Sequence, residues 1–160
     1  MREAFIGAVL AIALPFQASA LSCTQPDVAA SFTAAVQSEA RYTVLWGRFS
    51  FTQDSATAPT REGQAPDPFV VHFQGQGLSA NGFVDVSPRN ITIAIGCAGP
   101  WCGSFAPETE ALAFVERTAD GDVLRVGPCA QWVFQDPSRA DIAKVEACMH
   151  GDACDPVEHR

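Results

Sequence analysis

Basic residues are scarce. Lys144 is the only lysine, Lys and Arg together number 10 against 18 Asp and Glu, and the net charge is −8. Nucleic-acid recognition needs a basic stripe, so this balance argues against a nucleic-acid partner. Also missing are a Gly-x-Ser-x-Gly nucleophile elbow and a pair of cysteines separated by two residues, the spacing of thioredoxin-type chemistry. Long apolar runs are absent apart from residues 5–16, which are shorter than the roughly 20 apolar residues of a spanning helix and contain Pro15. No internal repeat is present.

That one apolar run follows Arg2 and precedes Ala18-Ser19-Ala20. This is the layout of a secretory signal with a small-residue cleavage site, so residues 1–20 are expected to be removed after Ala20. The mature chain, 21–160, is then a periplasmic or secreted protein without a stable membrane span. The alternatives are an uncleaved anchor and lipidation of Cys23, for which the expected Leu lies one place too late.

All six cysteines (Cys23, Cys97, Cys102, Cys129, Cys148 and Cys154) follow the signal. An even count in an oxidising compartment predicts three disulfides, with 15 possible pairings. Two short spacings invite closure, Cys97 with Cys102 and Cys148 with Cys154. The mature length suits one domain with its own core.

Along the chain, residues 27–40 place Val28, Phe32, Ala35 and Val36 at helical spacing behind Pro26 and Asp27. Residues 42–51 (YTVLWGRFSF) read as a long strand with Trp46, Arg48 and Ser50 on one face, Leu45, Phe49 and Phe51 on the other, and a bulge or bend at Gly47. Residues 52–68 contain no large apolar side chain and form a loop suited to recognition. Further strands are expected at 69–73, broken by Gly75 and Gly77, and at 83–86 after an Asn81-Gly82 turn. Another is expected at 91–95. A hairpin follows, 111–117 with 123–126, and a short edge strand at 132–134. Ser138 and Asp141 resemble a capping box, Ile142, Val145 and Met149 share a helical face, and Gly151 marks the stop. The sum is a mainly β fold with flanking helices: a small, disulfide-stapled Greek-key barrel of the oligonucleotide/oligosaccharide-binding type, with a C-terminal helix.

With Cys23-Thr24-Gln25-Pro26, a short helix, the strand Val44-Leu45-Trp46-Gly47-Arg48, Cys102-Gly103 ahead of Leu112-Ala113-Phe114-Val115, an Asp120-Gly121 turn and Cys129, the chain resembles the netrin-like domain. That family includes the tissue inhibitors of metalloproteinases and modules at the ends of netrins and complement proteins. The resemblance implies such a barrel used for protein contact. It departs at the N-terminus: those inhibitors begin with the cysteine that chelates the protease zinc and carry a second cysteine two residues on. Here Leu21-Ser22 precede Cys23, and position 25 is Gln25, so zinc-chelating inhibition does not carry over.

Candidate binding residues are Trp101, Trp46 and His72. Trp101 lies in the unusual Cys97-to-Cys102 stretch, where a bridge is favoured over a redox or metal site. Trp46, with Trp101 and Trp132, could build an aromatic platform, although tryptophans in a small barrel are more often core. His72 sits between Val71 and Phe73 on the opposite face; histidine is a potential base, but no nucleophile accompanies it. Cys148, His150, Cys154 and His159 could be written as metal ligands, but an oxidising compartment favours pairing of the cysteines. Glu108 and Glu110, with Asp120 and Asp122, read as a solvated acidic face. No catalytic residue, metal or cofactor is expected. The leading reading is a non-catalytic module that binds another protein or an envelope component. Alternatives are a thiol-redox or metal-binding protein using Cys97 and Cys102, and a structural accessory domain of an envelope complex.

Overall fold

The computed structural model describes residues 22–51 and 63–156. The expected signal peptide, its cleavage after Ala20, residues 52–62 of the recognition loop and His159 lie outside the described residues. The elements are α1 (Val28–Gln37), β1 (Arg41–Ser50), β2 (Phe69–Ser79), β3 (Gly82–Ile95), β4 (Cys97–Ala98) and β5 (Trp101–Cys102). They continue as β6 (Thr109–Thr118), β7 (Gly121–Val126), β8 (Val133–Gln135) and α2 (Arg139–His150).

Alternation in β1 sends Leu45 and Phe49 to one face and Val44 and Trp46 to the other. The first face lines a barrel. β1 pairs antiparallel with β2 and with β6, β2 with β3, β3 runs parallel to β7, and β7 returns to β6. These pairings close a five-membered ring, the expected mainly β, barrel-type arrangement. β8 joins β6 at Ala111–Ala113, on the edge whose far end pairs with β7. Val71, Phe73, Ile91, Ile93, Ala113 and Leu124 fill the interior. Each fully buried large side chain contributes about 1.5–3 kcal/mol.

The run 111–115 is wholly buried because both faces of β6 are covered. Ala111, Ala113 and Val115 point into the barrel, while Leu112 and Phe114 lie under α1 and α2 with Val28, Ile142 and Val145. Asp27 caps α1 by accepting from the Ala30 amide at 2.8 Å. The capping box on α2 is complete, with Ser138 and Asp141 satisfying each other's backbone amides, and Gly151 ends the helix in the left-handed conformation.

Three expected boundaries change. Gly75 and Gly77 do not end the second strand; β2 runs through them to Ser79, with a bulge between Phe73 and Gly75. The irregularity expected at Gly47 thus falls on its partner strand. A Cβ on Gly47 would lie 2.7 Å from Gly75 Cα and collide with the Gln74 carbonyl, so the two glycines let β1 and β2 approach. The separate strands expected at 83–86 and 91–95 are one strand. Pro88 is tolerated within it because it falls in the bulged stretch opposite β2, and β7 pairs only with residues 92–95.

Six cysteines form three bridges: Cys23–Cys129, Cys97–Cys102 and Cys148–Cys154. The two short closures match the sequence reading. The long one ties the segment before α1 to the exit of β7.

Candidate functional site

Strand polarity gathers five chain ends at one rim. β1 and β3 leave the barrel there, β2 and β6 enter, and β7, parallel to β3, also leaves. The floor of this rim is aromatic: Phe105 meets Phe49 edge-on at 5.4 Å and stacks on Phe51 at 5.9 Å, and Phe51 lies 5.2 Å from Phe69. Offset and edge-on aromatic contacts of this kind add about 0.5–1.5 kcal/mol beyond burial.

At the same rim, after the end of β3, stands the β4–β5 hairpin. Cys97 pairs directly with Cys102, and Ala98 with Trp101, around a Gly99-Pro100 turn in which Gly99 takes φ 59°. The disulfide closes its base. Gly103 donates to the Gly96 carbonyl at 2.9 Å, and Gly96 donates to the Val126 carbonyl at 2.9 Å. A Cβ on Gly103 would lie 2.6 Å from the Gly127 carbonyl oxygen and collide with that of Val126, so the foot of the hairpin rests on the end of β7. At the tip, Gly63 touches Gly99 so closely that a Cβ would lie 2.8 Å from its carbonyl oxygen. Trp101 is 51% exposed on this clamped support.

The other two candidates occupy the barrel flank. His72 is exposed on the outer face of β2, opposite Ser50 of β1 and Asn90 of β3, with Nδ1 3.4 Å from Asn90 Oδ1. Ser50 Oγ donates to Glu108 Oε2 at 3.4 Å, and Arg48 Nη1 lies 3.9 Å from the same oxygen. Trp46 is half-buried; its Nε1 donates to Glu110 Oε1 at 2.8 Å and its ring meets Phe83 edge-on at 5.5 Å. Trp46 and Ser50 are four residues apart on β1, so the Trp46 and His72 levels are about 13 Å apart along the strand. The fold therefore spreads Trp46, His72 and Trp101 over a flank and a rim and does not converge them on one point.

Trp132 belongs to the core side, stacked on Tyr42 at 4.7 Å. The expected acidic face is partly committed to ion pairs. Asp122 accepts Arg89 at 3.5 Å and Arg117 at 3.8 Å, and Glu116 holds Arg125 at 2.7 Å. Burial pushes the Tyr42 phenol up, the Glu116 carboxylate adds to the shift, and Arg125 and a hydrogen bond with Ser38 oppose it. Among the described residues, no three His, Cys, Asp or Glu side chains are grouped to hold a metal ion.

The floor of Phe51, Phe69 and Phe105 is not among the candidate residues expected from the sequence. Its signal was the shared parity of Phe49, on β1, and Phe51, just past its end, with a phenylalanine opening the next strand. Comparison with protein-family models, with curated proteins and with solved structures gave no match.

Proposed function

We propose that this chain is an exported, non-catalytic binding module, netrin-like in fold, that contacts another protein or an envelope component through the rim carrying the β4–β5 hairpin. The observation that carries this reading is Trp101, half in solvent on a hairpin held by a disulfide and by the end of β7. Tryptophan is among the side chains that dominate interface energies. An anchor fixed in advance loses less conformational entropy on binding than one on a free loop.

Export is supported by three bridges, which persist in oxidising compartments, and by the signal-like residues 1–20. No helix among the described residues is long and apolar enough to cross a membrane.

The test is site-specific photo-crosslinking in the cells that make the protein. A photoreactive residue replacing Trp101 should trap one discrete periplasmic or secreted species, while the same probe at Ala143, exposed on α2, should not. Equal labelling from both positions would refute a contact centred on the hairpin. A thiol-exchange role for Cys97 and Cys102 predicts something different: their bridge alone opens under mild reduction, and Cys102→Ser traps mixed disulfides.

A further inference from the structure

Two residues that helical periodicity assigns to buried faces remain in solvent. Val36, in the last turn of α1, is 69% exposed although Val28, Phe32 and Ala35 of the same helix pack on the sheet. Met149, in the last turn of α2, is 36% exposed although Ile142, Val145 and Cys148 are buried. Both open onto one groove of about 480 Å³, between the ends of the two helices and the start of β1, with Phe32 and Leu78 beneath them. The volume falls within the range of small-molecule sites.

The same groove carries Arg41 and Arg117, register partners across β1 and β6. Arg117 lies 3.8 Å from Asp122 with its side chain 62% exposed, and Arg41 has no ion-pair partner among the described residues. The neighbouring carboxylate of Glu116 is taken by Arg125 at 2.7 Å. In a chain of net charge −8, Arg41 and Arg117 bring two cations to a groove that also carries an uncovered apolar stripe.

We infer that this groove binds a single-chain anionic amphiphile of the fatty-acid class, its chain along Phe32, Val36, Leu78 and Met149 and its carboxylate at Arg41 and Arg117. An apolar stripe and two cations lining one groove complement a chain that ends in an anion. A membrane surface is a poorer match, because polybasic recognition uses about four to eight basic residues.

Calorimetric titration of the fully oxidised protein with dodecanoate, below its micelle-forming concentration, tests the inference. Dodecanoate should bind, and decanoate, two methylenes shorter, about tenfold more weakly. Dodecyl maltoside, with an uncharged head, should also be about tenfold weaker than dodecanoate. Val36→Glu and Arg41→Glu, both at exposed positions, should each weaken dodecanoate by about tenfold or more without shifting thermal unfolding. The inference is overturned if dodecanoate does not bind, if the maltoside binds equally well, or if both variants bind like wild type. A concentration-dependent dimer abolished by Val36→Glu would assign the groove to a second copy and also overturn it.

Discussion

Removing the Cys23–Cys129 bridge should destabilise the protein far more than removing Cys97–Cys102. The first closes a span of 106 residues, the second a span of five. With the chain-entropy relation for cross-links, the long bridge restricts the unfolded chain by about 4.8 kcal/mol and the short one by about 2. Their difference is about 2.8 kcal/mol, roughly a hundredfold in the unfolding constant. Paired Cys→Ala variants of each bridge, unfolded in urea, measure it. With a slope of about 2 kcal/mol per molar, loss of the long bridge should lower the midpoint by about 2.4 M and loss of the short one by about 1 M. Equal shifts, or a larger shift for the hairpin pair, would refute the idea that the long bridge acts by restricting the unfolded chain while α1 and the barrel keep their own packing.

Gly47→Ala should cost about 3 kcal/mol or more in the same assay, because its Cβ would lie 2.7 Å from Gly75 Cα, on backbone that cannot swing aside. Tyr42 is the only tyrosine, so phenolate absorbance reports it alone. With its folded pKa raised, the native state holds the proton more tightly than the unfolded chain. Stability is therefore complete below the ordinary tyrosine value of about 10 and declines as pH rises through the folded value. Tyr42→Phe should abolish that decline. Intact mass of the protein recovered from its native compartment should show a chain beginning at Leu21 with no thiol open to alkylation. A lipid on Cys23 would place it on a membrane surface, and free thiols would revive the redox or metal reading.

Much of the fold was legible because its signals are local. The second helix could be read from Ser138, Asp141 and Gly151, since caps act within one turn, and the β6–β7 hairpin from apolar runs around Asp120-Gly121. The shared face of Leu45 and Phe49 and the position of His72 opposite Val71 and Phe73 followed from the two-residue period of a strand. Other features were hidden because they are set by partners distant in sequence. Gly75 reads as a breaker until Gly47 is placed opposite it. The segments 83–86 and 91–95 read as two strands until the bulge opposite β2 is seen to carry one strand through them. Val36 and Met149 look like core residues until the ends of the two helices are seen to leave a groove between them. For the candidate site, the composition of residues 97–102 marked Trp101, but its exposure on a clamped hairpin depends on contacts between Gly96, Gly103 and the end of β7, which no local pattern reveals.

Whether the hairpin rim is a binding surface anchored by Trp101 is decided by comparing wild type with Trp101→Ala for affinity toward the species trapped by crosslinking. Trp101→Ala should bind about 30-fold more weakly, as expected for loss of an interface anchor. Its folding stability should stay within about 0.5 kcal/mol of wild type, because the indole is already half in solvent. Unchanged affinity, or a loss of affinity that tracks a loss of stability, would contradict that role for Trp101.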